Sequence, residues 1–204
     1  MIGGEVNNPL CLDNLRSRMK FLLDIFFSII LIVILSFPIL FIGLLVRLSS
    51  NGPALFWSDR VGKDSVIFKM PKFRTMKLET PQLATHLIKE PENFYTPVGR
   101  FLRKYSLDEL PQIFSILKGD MSLVGPRPAL FNQDDLINLR QRKGVNSIKP
   151  GITGLAQING RDEMTIAVKV DYDEQYLNTL SMKLDIYILW LTLLKVLRRE
   201  GVSH

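Results

Sequence analysis

Cysteine and histidine are nearly absent from this chain. Its 204 residues include one cysteine, Cys11, and two histidines, His86 and His204. A single cysteine excludes an intrachain disulfide framework. A zinc site built within one chain needs several cysteine or histidine ligands, so that class of site is excluded as well. Any metal bound here would have to be a hard ion with oxygen ligands.

Internal repeats and low-complexity tracts are also lacking, and the composition excludes disordered, collagen-like and coiled-coil proteins. Hydrophobic residues make up 47% of the chain and charged residues 23%. The mean hydropathy of +0.13 is high for a soluble domain, so the apolar residues must be concentrated in an anchor segment. Acidic residues are fewer than basic ones. The net charge of +6 predicts an anionic partner such as nucleic acid, acidic lipid or a phosphorylated substrate.

No charged residue occurs between residues 25 and 46. A helix of about 22 residues is roughly 33 Å long, which is enough to cross the hydrocarbon core of a bilayer. A cleaved signal peptide is the alternative interpretation. The run is longer than the apolar region of a usual signal peptide, and no small-x-small cleavage site follows it. We therefore expect residues 1–50 to be a retained membrane anchor.

The anchor has two arrangements that fit its residues. Basic side chains lie on both sides of the apolar run: Arg16, Arg18 and Lys20 before it, and Arg47, Arg60 and Lys63 after it. The positive-inside rule then favours no single crossing direction. Pro38 removes an amide donor near the middle of the run, where the Ser36 hydroxyl is available to a freed carbonyl. A re-entrant helix over about residues 20–48, broken at Ser36 and Pro38 with both ends on the cytoplasmic side, explains these features. A spanning helix with a proline kink explains them equally well.

The remaining chain, residues 51–204, is predicted to be a small cytoplasmic globular domain with short strands. Residues 66–70 have the pattern of a strand, and residues 165–180 that of a helix. Residues 181–199 predict an amphipathic helix with basic residues, Tyr187 and Trp190, which is typical of a helix in the membrane interface. An ordinary helix packed on a core has the same pattern. The predicted fold class is α+β and mainly helical.

Two adjacent carboxylates, Asp108 and Glu109, are the most informative residues of the soluble part. Ser106 to Glu109 matches the capping-box pattern S-x-x-E, in which Glu109 would only tie off a helix start. Pro111 fits a start at Asp108 better than one at Ser106. The functional interpretation is an ionised aspartate that attacks phosphorus, next to a partner carboxylate with which it binds Mg²⁺. The sequence alone does not choose between capping and catalysis.

Five basic residues lie in or beside turns with proline or glycine, where arginine forks and free backbone amides bind anions. They are Lys72, Arg74, Arg103, Arg127 and Arg161. With the carboxylate pair and a membrane anchor, they indicate a diphosphate that is handled beside lipid.

Four stretches resemble the bacterial sugar transferase family of small monotopic phosphoglycosyl transferases. They are KFRTM at 72–76, SLDELPQ at 106–112, KGDMSLVGPRP at 118–128 and PGITGLAQINGR at 150–161. The resemblance implies transfer of a sugar 1-phosphate from a UDP-sugar to undecaprenyl phosphate, with release of UMP and a requirement for Mg²⁺. It also implies a re-entrant anchor, which favours the bend at Ser36 and Pro38, and a place on the cytoplasmic face of the bacterial inner membrane among lipid.

The same resemblance assigns roles to residues of this chain. Asp108 is similar to the family's nucleophile, which forms a covalent phosphoglycosyl-aspartate, and Glu109 to its partner in holding Mg²⁺. Lys72, Arg103 and Arg127 match positions near substrate phosphates, and Arg74 and Arg161 are added to this group here.

The alternative function is a non-catalytic, membrane-attached module that binds an anionic polymer. It explains the basic charge but not the carboxylate pair. We expect no nucleic acid partner. The sugar, the glycoconjugate pathway and the oligomeric state are left open, with a homodimer among the options.

Overall fold

The computed structural model describes residues 9–80, 90–160 and 164–198, and it is mainly helical, at 61%, as predicted. The helices are α1 (Pro9–Ser49), α2 (Gly99–Lys104), α3 (Ile113–Lys118), α4 (Asp134–Arg142), α5 (Leu155–Asn159), α6 (Ile166–Asn178) and α7 (Met182–Arg198). The strands are β1 (Leu55–Val61), β2 (Ile67–Phe73), β3 (Ser122–Val124) and β4 (Gly151–Thr153). Short 3₁₀ segments lie between them at Lys63–Ser65, Pro91–Phe94, Leu107–Gln112 and Val145–Ser147.

Helix α1 contains the apolar run, and its part Ser17–Ser49 is long and apolar enough to cross a membrane. Ser36 and Pro38 both lie inside this helix, which continues through them. The Ser36 hydroxyl donates a hydrogen bond to the carbonyl oxygen of Val33 at 2.8 Å. The re-entrant bend at these two residues therefore remains a prediction.

The first half of α1 is attached to the globular part by polar contacts. Lys20 Nζ donates to a carboxylate oxygen of Asp185 in α7 at 2.5 Å. The backbone amide of Leu123 in β3 donates to Asp24, which is buried, at 3.2 Å. These contacts connect one end of the long helix to two elements that lie far away in the sequence.

The second half of α1 is attached by apolar contacts. Ile42 and Val46 are buried in one cluster with Phe73 of β2 and Leu102 of α2. Between the two contact regions Leu31 packs partly buried on the main core, but many of the apolar side chains are exposed, and Phe37 has 76% of its surface accessible. The globular part thus contacts α1 around Lys20 and Asp24 and again around Ile42 and Val46, and one side of the helix between them is left exposed.

Strands β1 and β2 form an antiparallel hairpin in which Leu55 pairs with Phe73 and Val61 with Ile67. The strand predicted over residues 66–70 is the first part of β2. Side chains alternate between the two faces of a strand. One face, here called the site face, carries the following residues: Phe56, Ser58 and Arg60 of β1, and Phe68, Met70 and Lys72 of β2.

Strands β3 and β4 are parallel, and they bring the start of the stretch at 150–161 beside the end of the stretch at 118–128. A Cβ atom at Gly125 would lie 2.5 Å from the carbonyl oxygen of Lys149, so only glycine permits this approach. The main core lies beneath this pair. It contains the buried side chains of Phe68, Met70, Ile116, Met121, Leu123, Val124, Leu155, Ile158, Tyr176 and Ile188.

Helices α6 and α7 correspond to the helices predicted over residues 165–180 and 181–199. One face of α7 packs on the core through Ile188, which is fully buried. The opposite face exposes apolar and aromatic side chains: Ile186, Tyr187, Trp190, Leu193 and Val196. The buried face agrees with a helix packed on a core, and the exposed apolar face with a helix in the membrane interface. The location of α7 in such an interface stays a prediction.

Candidate active site

The two carboxylates lie in the 3₁₀ segment Leu107–Gln112, which leads into α3. Ser106 precedes it in the left-handed region, with φ of 53°, and its side chain makes no capping hydrogen bond. The capping-box interpretation is therefore wrong, because the left-handed Ser106 backbone turns the chain sharply at this point instead of starting a regular helix. Pro111 is accommodated within the 3₁₀ segment.

Asp108 is held in place by its apolar neighbours. Leu107 and Leu110 pack against the cluster that joins α1, β2 and α2. Asp108 lies between them in the sequence and is 6% exposed. This packing fixes the backbone that carries the carboxylate and keeps most water away from it.

Glu109 forms ion pairs with two of the predicted basic residues. Lys72 Nζ donates to Glu109 Oε1 at 2.9 Å, and Arg127 Nη2 donates to the same oxygen at 2.7 Å. Arg127 Nη1 lies 3.4 Å from Oε2, so the arginine fork faces both oxygens. Burial by itself would raise the pKa of Glu109, but Arg127 and Lys72 hold that pKa well below its usual range. Glu109 is therefore ionised and engaged.

Asp108 differs from Glu109 both in the direction of its pKa shift and in its hydrogen bonds. Burial raises the pKa of Asp108, the charge of Glu109 raises it further, and Lys72, Arg103 and Arg127 offset part of this rise. Among the residues that the structure describes, none donates a hydrogen bond to the Asp108 carboxylate. The pair is thus divided into one carboxylate that orients cations and one whose oxygens remain available for chemistry.

Arg103 lies at the end of α2 and is positioned by Tyr95. Its Nη1 donates to the tyrosine hydroxyl at 3.2 Å, and its guanidinium carbon lies 5.5 Å from the centre of the ring. The positive charge of Arg103 lowers the pKa of Asp108, which places it within electrostatic range of that carboxylate.

The loop that carries Arg127 is fixed from behind by a buried ion pair. Arg140 Nη1 donates to the backbone carbonyl oxygen of Arg127 at 2.7 Å. The Nε and Nη2 atoms of Arg140 donate to Asp173 Oδ2 at 2.9 and 2.7 Å. Asp173 is 2% exposed, so the geometry of Arg127 depends on helices α4 and α6.

Arg74 and Arg161 are not brought to this site by the described structure. The Arg74 guanidinium is buried and donates to the carbonyl oxygens of Ser50 and Asn51 and to the Ser50 hydroxyl. Those contacts close the turn between α1 and β1, so the geometry lends no support to a role in substrate binding. Arg161 lies outside the described residues.

Arg60 is a site residue that the sequence interpretation missed, since it was counted only as a basic residue after the apolar run. It lies on the site face of the hairpin, and its charge acts on Lys72. The signal that would have found it is alternation along β1, which places Arg60 on the same face as Lys72 once the hairpin register is known.

The donor set fits a magnesium ion only in part. The described residues contain no cluster of three or more histidine, cysteine, aspartate or glutamate side chains. Mg²⁺ in phosphoryl-transfer sites needs only one or two carboxylates, because substrate phosphates and water complete its shell. The Asp108 oxygens accept no hydrogen bond from the described residues, whereas Glu109 would have to share oxygens that already accept from Lys72 and Arg127.

Comparison with known proteins relates the chain to bacterial enzymes. The model of the family described as bacterial sugar transferase matches residues 15–199. The chain is 42% identical over 186 residues to an uncharacterized sugar transferase of Bacillus subtilis, EpsL, and the match covers 91% of each protein.

Two further relatives have names that state a substrate. One is the undecaprenyl-phosphate galactose phosphotransferase of Salmonella typhimurium, 36% identical over 93% of this chain and 43% of that protein. The other is the UDP-glucose:undecaprenyl-phosphate glucose-1-phosphate transferase of Escherichia coli, 39% identical over 84% of this chain and 39% of that protein. The chain spans less than half the length of these two relatives.

Proposed function

Because this chain belongs to the bacterial sugar transferase family, we propose that it transfers a sugar 1-phosphate from a UDP-sugar to undecaprenyl phosphate. The product is an undecaprenyl diphosphate sugar, and UMP is released. The names of the relatives support the two substrates, and the cations around Asp108 support the handling of a diphosphate. The reaction would start the assembly of a glycoconjugate at the membrane.

The observation that carries the mechanism is the difference between the two carboxylates. Asp108 is buried within electrostatic range of Lys72, Arg103 and Arg127, yet it forms no ion pair with any residue that the structure describes, because Glu109 pairs with Lys72 and Arg127. A carboxylate with little water around it is a stronger nucleophile once it is ionised. We assign the nucleophile to Asp108 on this ground.

The reaction then proceeds in two half-reactions. An Oδ atom of Asp108 bonds to the phosphorus that carries the sugar, and the bond from that phosphorus to the bridging oxygen breaks. UMP leaves with the electron pair on that oxygen. A phosphate oxygen of undecaprenyl phosphate next attacks the same phosphorus, and the bond to Asp108 breaks to regenerate the carboxylate. A covalent intermediate lets a water-soluble donor and a lipid acceptor use one site in turn.

The remaining side chains position charge. Glu109 holds the amino group of Lys72 and the fork of Arg127 next to Asp108, where they would face the oxygens of the transferred phosphate. Mg²⁺ bound by Asp108, Glu109 and the donor diphosphate would neutralise charge on the phosphate oxygens. Arg103 is oriented by Tyr95 toward the same region.

The anchor provides access to the lipid acceptor. The globular part contacts α1 near Lys20 and again near Val46, and this supports an arrangement in which both ends of the helix face the cytoplasm. A helix bent at Ser36 and Pro38 would then keep Asp108 at the height of the lipid headgroups. The exposed aromatic residues Tyr187 and Trp190 on α7 suit the same interface.

The test is UMP release by the purified full chain with a panel of UDP-sugars, Mg²⁺ and undecaprenyl phosphate. Asp108→Asn should lower turnover by about a million-fold, as loss of a nucleophile does. The adduct should be found on Asp108 by mass spectrometry of the wild-type protein after mixing with donor alone. Asp59→Asn is the matched control, because Asp59 is a partly exposed hairpin residue paired with Lys69 on the face opposite the site.

Normal turnover in Asp108→Asn would overturn the nucleophile assignment. Salt-dependent binding of an anionic polymer by a wild-type protein that releases no UMP from any donor would favour the non-catalytic alternative.

A further inference from the structure

Arg60 is bound on two sides, by its own hairpin and by the loop that carries Arg127. Its Nε donates to the Ser58 hydroxyl at 3.0 Å, and its Nη1 donates to the carbonyl oxygen of Pro128 at 3.0 Å. Pro128 directly follows Arg127, so the hairpin and the arginine loop are joined at this point. The third nitrogen, Nη2, has no acceptor among the residues that the structure describes.

The surroundings of Arg60 carry an excess of positive charge. Four cationic side chains, Lys72, Arg103, Arg127 and Arg60, lie around two carboxylates, Asp108 and Glu109, so the described residues of the site carry an excess of two positive charges. Lys72 and Arg127 share Glu109, whereas Arg60 forms no ion pair with a carboxylate in the described parts of the chain. Half-buried cations without partners cost free energy unless an anion joins them.

The pKa of Arg60 reflects its burial and the excess of positive charge around it. Burial and, to a smaller extent, repulsion from Arg127 lower the pKa of Arg60 to about 10, although the attraction of Glu109 offsets part of the change. A dianion bound near Nη2 would offset the cost of burying the Arg60 charge and the repulsion between Arg60 and Arg127, because it supplies an opposite charge to both arginines.

The order of the charges locates the anion. Lys72, Arg103 and Arg127 act on Asp108, and Arg60 acts on Lys72 and is in turn acted on by Arg127. On the site face Lys72 pairs with Phe56 and Arg60 with Phe68, two pairs farther along that face, so Arg60 lies beyond Lys72 and beside the loop that carries Arg127. A phosphorus attacked by Asp108 would face those two side chains, and the second phosphate of a diphosphate would extend toward Arg60.

We propose that Arg60 binds the phosphate of the nucleotide that leaves, and so assists the first half-reaction but not the second. The inference rests on the proposed function, since it needs a nucleoside diphosphate sugar as the donor. When the bond to the bridging oxygen breaks, negative charge grows on UMP, and a guanidinium fork next to it stabilises that charge. The acceptor lipid brings a single phosphate and does not need this position.

The experiment separates the two half-reactions in full-length Arg60→Gln. UMP release is first followed in a single turnover without undecaprenyl phosphate, and we expect a rate about 100-fold below wild type. The adduct is then allowed to form completely, freed of donor and mixed with undecaprenyl phosphate. Its discharge should proceed within about twofold of the wild-type rate, because no nucleotide takes part.

Two further variants complete the design. Arg60→Lys keeps the charge and should recover part of the UMP-release rate, because a point charge replaces the fork. Lys69→Gln removes a cation from the opposite face of the same hairpin and should change neither half-reaction. The concentration of UMP that gives half-maximal inhibition should be about tenfold higher for Arg60→Gln than for wild type, because one charge-assisted contact is lost.

The outcomes are distinguishable. An equal loss in both half-reactions would show that Arg60 only holds the hairpin to Pro128, and an unchanged rate of UMP release would show that it does not meet the donor. Either result overturns the proposal. Wild-type protein that forms no adduct and releases no UMP would instead overturn the proposed function itself.

Discussion

The Arg140 guanidinium connects the backbone carbonyl oxygen of Arg127 to the carboxylate of Asp173, which is almost completely buried. Arg127, one of the two cations that contact Glu109, is thus held by its backbone from the side opposite the site. This support comes from α4 and α6, two helices that contribute no side chain to the group of charges around Asp108. It gives a direct way to separate stability from catalytic geometry.

Asp173→Asn should destabilise the protein by about 3–5 kcal/mol, because it leaves the Arg140 charge buried without its partner. In the double variant Arg140→Met with Asp173→Leu, apolar side chains replace the pair, and stability should return to within about 1 kcal/mol of wild type. In this double variant the rate of UMP release should nevertheless be about 100-fold below wild type, because the carbonyl oxygen of Arg127 has lost its hydrogen-bond donor. Denaturant unfolding and single-turnover kinetics measure the two effects. Recovery of both quantities in the double variant would mean that the pair is only structural.

Glu109→Gln should move the pH dependence of UMP release. Asp108 must be ionised to attack, so the rate rises with pH through its pKa, which burial raises above the ordinary 3.8. Removing the negative charge of Glu109 lowers that pKa, and the rising limb should shift to lower pH. The maximal rate should fall by about 100-fold, because Lys72 and Arg127 lose their common acceptor.

A pH–rate profile between about pH 4 and 8 measures this shift. Glu174→Gln is the control, since Glu174 pairs with Lys143 at the protein surface and should leave the profile unchanged. A limb that stays in place or moves to higher pH in Glu109→Gln would contradict the electrostatic coupling of the two carboxylates.

Arg74→Gln should behave as a stability variant. It removes charged hydrogen bonds to Ser50 and Asn51, and we expect a loss of about 3 kcal/mol in the free energy of unfolding. The KM for the UDP-sugar should remain within about twofold of wild type, since the guanidinium is engaged in the turn after α1. A large increase in KM with unchanged stability would instead support the sequence-based prediction of substrate binding.

Removal of Mg²⁺ with EDTA should stop UMP release without lowering the unfolding temperature. The ion pairs of Glu109 with Lys72 and Arg127 hold the site together without a metal, whereas the donor diphosphate needs charge neutralisation. Activity should return on addition of Mg²⁺. Continued turnover in EDTA would contradict the proposed cofactor, and a lower unfolding temperature would mean that the metal is also structural.

Much of the fold follows from local sequence patterns. The long apolar run, the strand that starts β2 and the helices α6 and α7 are predicted because each has a clear length or periodicity. Strands β3 and β4 have three residues each, which is too short for alternation to be recognised. The choice between capping and catalysis at the carboxylate segment stayed open, because nothing in the sequence distinguishes a left-handed Ser106 from a capping serine.

The site residues show where sequence patterns stop being informative. Lys72 and Arg74 lie in the same short motif, yet only Lys72 reaches Glu109. Lys72 belongs to the hairpin and inherits its face from the register, whereas Arg74 follows the strand end and turns back toward Ser50. Arg60 became recognisable only with the same register. Pairing between strands is a tertiary property, and no local pattern encodes it.

The attachment of α1 to the globular part affects how this protein can be purified. Cutting the chain before β1 to obtain a water-soluble version would uncover Phe73 and Leu102 and would leave Asp185 without Lys20. We expect the shortened protein to aggregate, because apolar side chains that α1 covers would be exposed to water. Because α1 covers part of the globular core as well as anchoring it, we expect the protein to need detergent or lipid throughout purification and assay.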